Sequence, residues 1–220
     1  MRKKIATWLT ILVFPLLVLA EQPPIQNYVF RNVNMPSVPL TKNWQFVIDN
    51  SSSTHNIFGL VRAGLFESLK FPTDEMNISV ITFNDRGMER RLDWMEMSPE
   101  AIRKADDFVQ KTKGVLSYGR VAIDLAIRQN KERLTIVLIS DGGFTEACNN
   151  RGFGVIDRCI KDAQKWREDN GLGKAIIVSI GIENKHYTAG GKPPDEECQA
   201  FMQKVGTENG GGYFHVSKEK

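Results

Sequence analysis

The sequence predicts an α/β domain in which a doubly wound, mostly parallel sheet lies between two helix layers. Three observations point there. Short continuous runs of apolar, β-branched residues recur along the chain, as expected of strands covered on both faces. Between them lie stretches whose apolar residues repeat at helical spacing, so strands and helices alternate. The least expected polar residues, Asp49-Asn50-Ser51-Ser52-Ser53 and Ser140-Asp141-Gly142, fall just beyond strand ends, where sheets of this kind bind ligands.

Trp44 to Ile48 is an apolar-rich run ending at Asp49 and reads as the first buried strand. Ile57, Leu60, Val61, Gly64, Leu65 and Leu69 then mark a helix from about His55 to Lys70. Ile78 to Phe83 is a second strand, and Arg90 to Trp94 a short edge strand reached by a turn at Asp85-Arg86-Gly87. Helices follow over about Pro99 to Lys111 and Tyr118 to Gln129. Leu134 to Ile139 is a continuous apolar strand that stops at Ser140-Asp141-Gly142-Gly143. Val155, Ile156, Cys159, Ile160, Ala163 and Trp166 mark the next helix, and Ala175 to Ile180 the next strand. A polar loop with Gly190, Gly191, Pro193 and Pro194 leads to a helix marked by Cys198, Phe201, Met202 and Val205. Gly210-Gly211-Gly212 then opens a last short strand, Tyr213 to Val216.

The N-terminus is of another kind. Met1-Arg2-Lys3-Lys4 is basic, Ile5 to Leu19 is apolar without an acid, and Val18-Leu19-Ala20 offers small residues before Glu21. This is the order of an export signal cleaved after Ala20, and the apolar stretch, interrupted by Pro15, is short for a membrane span. Residues 21–40 contain Pro23, Pro24, Pro36 and Pro39 without a period and read as a leader or tether, which leaves 41–220 for the domain. Loss of Arg2, Lys3 and Lys4 takes Lys plus Arg from 29 to 26, equal to the 26 Asp plus Glu. The mature chain is then close to neutral, which argues against a nucleic-acid partner. No membrane-spanning helix is expected in it. Cys148, Cys159 and Cys198 can pair in three ways or stay as thiols, and their spacing fits no zinc motif.

Asp49, Ser51 and Ser53 alternate in a loop between a buried strand and a helix, so their oxygens can converge. One carboxylate and two hydroxyls are hard donors, suited to Mg²⁺ or Mn²⁺ and poorly to zinc or copper. A helix cap would need only one of the serines and would not account for Asp49. Phe46-Val47-Ile48-Asp49-Asn50-Ser51-Ser52-Ser53 resembles the first metal-binding loop of von Willebrand factor A domains, as found in integrins and many bacterial surface proteins. Ser117-Tyr118-Gly119-Arg120-Val121-Ala122-Ile123 is similar to the second loop and Ile139-Ser140-Asp141-Gly142 to the third, while Tyr213-Phe214 matches the last strand. The resemblance runs from about Asn43 to Val216.

It implies a Rossmann-like sheet of order 3-2-1-4-5-6 and a metal-ion-dependent adhesion site. Ser51, Ser53 and Ser117 would bind the ion directly, and Asp49 and Asp141 directly or through water. A sixth position would remain for an Asp or Glu of a partner protein. Two departures stand out: the family most often has Thr at Ser117, and Val115 and Leu116 replace its glycines. Only Ser217-Lys218-Glu219-Lys220 follows the last strand, too few residues for the C-terminal helix usual in the family, so part of one sheet face is expected to lie open, or to be covered by Glu21 to Leu40 or by a partner.

The function expected is a periplasmic or secreted binding module for adhesion or assembly, and not an enzyme. A periplasmic accessory protein for maturation of an exported enzyme is a second reading. A metal-assisted hydrolase is a third, for which the loops supply no acid or base beyond His55. His186 and His215 have no second ligand at metal spacing, and no phosphate loop or nucleophile elbow is present.

Overall fold

The computed structural model describes residues 28–34, 41–55, 59, 61–62, 64–65, 75–84, 90–112, 114, 116–147, 152–183 and 195–218. The export signal and the cleavage point expected after Ala20 lie outside them, as do Cys148 and His186. Seven strands form one sheet: β1 Tyr28–Asn34, β2 Asn43–Asp49, β3 Asn77–Phe83, β4 Arg90–Glu96, β5 Leu134–Ser140, β6 Ile176–Ile182 and β7 Gly210–Lys218. The helices are α1 from Ser52–His55, α2 Pro99–Lys111, α3 Gly119–Ile127, α4 Gly154–Asp169 and α5 Asp195–Glu208. Gly59, Val61, Arg62, Gly64 and Leu65 are helical as well, where the sequence places the body of its first helix.

The spatial order is β1-β7-β6-β5-β2-β3-β4. Apart from β1 this is the order 3-2-1-4-5-6 expected from the sequence. β2 runs parallel to both β3 and β5, β5 to β6 and β6 to β7, while β4 lies antiparallel at one edge. The other edge differs from expectation. Within the segment read as a leader, Tyr28–Asn34 forms β1 and pairs antiparallel with β7, from Tyr28↔Lys218 to Asn34↔Tyr213. β7 is longer than the apolar signal: its glycines are in the strand, and pairing continues through Ser217 and Lys218.

Alternation along the strands divides the core in two. Trp44, Phe46, Ile48, Val137, Ile139, Val178 and Ile180 face Val61 and Leu65 of the first helical stretch and Ala101, Ala105 and Val109 of α2. Val47, Ile81, Phe83, Ile136, Leu138 and Ile177 face the apolar stripes of α3, α4 and α5. α2 starts at Ser98, whose hydroxyl accepts the Ala101 N–H at 3.1 Å, with Pro99 filling the first helical position. Near the β7 edge, where the sequence leaves one face partly open unless residues 21–40 or a partner cover it, Ile182, Phe214 and Val216 are buried.

At the end of the sheet opposite the polar loops, Arg167 of α4 is fully buried. It donates to the carbonyls of Ile127, Gln129, Lys131, Leu172 and Gly173 at 2.8–3.3 Å, tying the end of α3 to the turn after α4.

Candidate metal centre

The chain reverses its direction of winding between β2 and β5, since β3 and β4 lie to one side and β6 and β7 to the other. A crevice opens beyond the carboxyl ends of two such strands. Asp49 is the last residue of β2, and Asp141 follows the last residue of β5, so both acids stand at this switch. Asp49 shares the parity of Val47, which aims it toward the layer of α3, α4 and α5.

Asp49 is fully buried. Its Oδ1 accepts the Ser51 N–H at 3.1 Å, and its Oδ2 accepts the hydroxyls of Ser117 at 2.9 Å and Ser140 at 2.8 Å. An ionised carboxylate cannot donate, so each serine spends its single proton on Asp49. The lone pairs of Ser117 Oγ then remain for another ligand. Those of Ser140 do not all remain, because its Oγ also accepts the Gly142 N–H at 2.9 Å. Asp141 is buried and its Oδ1 accepts the Gly143 N–H at 2.8 Å. Gly142 turns the chain at φ 77, and a Cβ there would lie 2.7 Å from the Cys198 carbonyl oxygen, so only glycine fits.

Burial, and after it the repulsion of Asp141, push the Asp49 carboxyl from its ordinary 3.8 up to about 6, against the hydrogen bonds from Ser51, Ser140 and Ser117. A cation between two such acids would offset both causes, since its charge favours the ionised carboxylates. The donors are carboxylate and hydroxyl oxygens, which fit a hard divalent ion such as Mg²⁺ or Mn²⁺.

Of the five ligands expected from the sequence, the structure brings together Asp49, Ser51, Ser117 and Asp141. Ser53 lies in the first turn of α1, and its side chain is outside the described residues, as is that of His55. The sequence reading missed the groups that hold the loops in place. Asn50 is buried, donates from Nδ2 to the Val109 carbonyl at 2.6 Å, and accepts the Gly114 N–H on its own carbonyl at 3.0 Å. Asn84 donates to the Thr112 carbonyl at 2.5 Å and accepts the Tyr118 N–H at 3.2 Å. Thr145 fixes the backbone of Ser117 from both sides: its Oγ1 accepts the Ser117 N–H at 2.9 Å, and its own N–H donates to the Ser117 carbonyl at 2.7 Å. Tyr118 provides no side-chain cap for α3, and Glu146 takes that place, accepting the Arg120 N–H at 3.0 Å. Burial raises the Glu146 carboxyl even so.

Among the solved structures that resemble this chain, three illustrate the likeness. The manganese-loaded TRAP protein of Plasmodium vivax aligns at 16% identity and a TM-score of 0.43, over 72% of this chain and 63% of its own. The vWF domain of the type V pili tip protein Mfa5 from Porphyromonas gingivalis aligns at 11% identity and a TM-score of 0.52, over 82% of this chain and 91% of its own. A structure of three N-terminal domains of Mfa5 aligns at 15% identity and a TM-score of 0.36, over 70% of this chain and 30% of its own. The chain thus spans less than two thirds of the TRAP structure. No family model and no curated protein matches the sequence.

Winding, layers and switch point define a doubly wound α/β domain whose polar loops gather at the switch between β2 and β5. More particularly, the fold is of the von Willebrand factor A type, a likeness that rests on the Mfa5 domain and is one of fold alone at 11% identity.

Proposed function

We propose that this protein is an exported binding module that holds a partner protein through a divalent cation, Mg²⁺ or Mn²⁺, at Asp49, Ser51, Ser53, Ser117 and Asp141. The observation that carries the reading is the convergence of two buried acids with serine hydroxyls whose protons are turned toward Asp49. A hard cation in this cradle supplies an electrophilic centre on which an Asp or Glu of the partner can close. The chain's own groups do the rest. Ser117 offers lone pairs, Asp49 holds Ser117 and Ser140 in position, and Asp141 supplies the second charge from the third loop. The shared fold favours assembly or adhesion over catalysis, since the Mfa5 domain belongs to a protein named for its place at a pilus tip.

Export rests on residues 1–20, and among the described residues no helix is long and apolar enough to cross a membrane. The mature protein purified from the producing cell should have the mass of a chain starting at Glu21.

Metal binding is tested by thermal unfolding in chelator and in millimolar Mg²⁺ or Mn²⁺. An ion bound only by the native state at a hundredfold over its dissociation constant adds about 2.7 kcal/mol. Asp141→Ala should abolish that gain while leaving the circular dichroism spectrum unchanged. A wild-type protein indifferent to both ions would refute the reading.

A further inference from the structure

Beside the candidate metal centre, a groove of about 850 Å³ runs between α3 and α4. Arg120, Asp124 and Arg128 line it from α3, and Arg158 and Asp162 from α4. Both helices start at the carboxyl edge of the sheet, so Arg120 and Arg158, each in the first two turns of its helix, mark the end of the groove nearest the metal loops. Asp124 is taken up by Arg128, whose Nε lies 2.9 Å from its Oδ1. Arg158 donates only to the Gly154 carbonyl, at 3.3 Å; Arg120 has the Glu146 carboxyl near its backbone, which accepts its N–H at 3.0 Å, and among the described residues neither arginine side chain forms a salt bridge. Asp162, one helical turn beyond Arg158, ends the basic stretch. With Asp124 taken up by Arg128, Asp162 is the one other acid lining the groove, and three arginines against two acids leave it with a positive balance that favours an anion.

Apolar surface adjoins the same end. Leu116, next to Ser117, and Val121, which lines the groove, are the large apolar side chains most exposed among the described residues, each at 38%.

We infer that this groove continues the metal-bridged contact, and that its occupant is an extended segment of the partner protein carrying two acidic residues. One reaches the cation; the other reaches Arg120 and Arg158, with an apolar residue lying over Leu116 and Val121. Ser117 and Arg120 are three positions apart in the chain, so their Cα atoms lie at most about 10 Å apart. An extended partner segment covers that span in about three residues, at ~3.3 Å each, which sets the spacing of the two acids. The inference rests on the proposed metal contact and extends it from one acid to a sequence pattern.

The test uses the mature full-length protein in Mn²⁺ and fluorescein-labelled hexapeptides at concentrations up to millimolar. One peptide has a single Asp, the other has a second Asp three residues further on, and a heparin hexasaccharide serves as a non-peptide polyanion. The second acid should tighten binding about three- to tenfold, the range of a partly screened charge pair. In Arg120→Gln/Arg158→Gln the ratio of the two peptide affinities should fall to about one. Equal binding of both peptides by wild type, abolished by chelator, overturns the groove and leaves the metal contact standing. Absence of any metal-dependent peptide binding overturns both. Heparin binding that ignores chelator, is lost in the double variant and exceeds that of either peptide reassigns the arginines to a polysaccharide and overturns the proposal.

Discussion

Replacing Asp49 by Asn separates the charge of this residue from its shape. In the metal-free protein the Asp49 carboxyl is raised from 3.8 to about 6 by burial and by Asp141. A carboxyl with a higher pKa in the folded state binds more protons when folded between the two values. Stability therefore falls as pH rises from about 4 to about 6, and this group adds no further change above that. Two pKa units correspond to about 3 kcal/mol. Asn keeps an acceptor for the Ser51 N–H, and its amide can donate to the oxygens that donate to Asp49 in wild type, so the loops stay bonded. The assay is thermal unfolding of both proteins in chelator between pH 4 and pH 8. The stability of Asp49→Asn minus that of wild type should rise by about 3 kcal/mol from pH 4 to pH 7, or roughly 6–12 °C in melting temperature for a domain of this size. Adding Mg²⁺ at pH 7.5 should narrow or close that gap, because only wild type gains from the ion. A pH-independent difference would mean that the Asp49 charge is not held at this cost, and an undiminished metal response in the variant would refute its place in the centre.

Ser117→Ala should lose most of the Mg²⁺-dependent rise in melting temperature, whereas Ser117→Thr, which keeps the hydroxyl, should retain it. Gly119→Ala would place a Cβ 2.4 Å from the Phe144 ring, which is fully buried and stacks on Phe83 at 5.8 Å. Overpacking there should cost about 1–3 kcal/mol in chemical denaturation and weaken the metal response through Ser117, two residues away. Arg167→Met removes the donor shared by five carbonyls far from the metal loops, so it should lower stability by about 2–4 kcal/mol and leave the Mg²⁺-dependent increment unchanged.

The strands of the sheet centre were legible because parallel pairing buries both faces, and Leu134 to Ile139 or Ile78 to Phe83 is then buried throughout and mostly apolar, with Thr135, Ser79 and Thr82 the exceptions. β1 carries no such signature. It pairs on one side only, holds Arg31, Asn32 and Asn34, and is bracketed by prolines, so its place depends on β7 more than on its own composition. In the centre, Asp49, Ser51, Ser117 and Asp141 could be read because each stands at a strand end or helix start in a recognisable order. Asn50, Asn84, Ser140, Thr145 and Glu146 act on hydroxyls, carboxylates and backbone groups, most of them distant along the chain: Thr145 meets Ser117 across 28 residues and Ser140 meets Asp49 across 91. Polar residues in loops have many other uses, and only the fold shows which loop each one faces.

The antiparallel pairing of β1 with β7 also decides from which side the domain can be held. β7 runs in the direction of β6, β5 and β2, so Lys218 lies at the same end of the sheet as Asp49 and Asp141, and the register Tyr28↔Lys218 brings Tyr28 there too. Three strand spacings separate β1 from β5, about 15 Å in all. Whatever is joined before Tyr28 or after Lys218 therefore departs from the rim of the face that carries the candidate metal centre. Immobilising the protein through either route turns that face toward the support, whereas a label on α2 or at the turn after α4 leaves it open to solution.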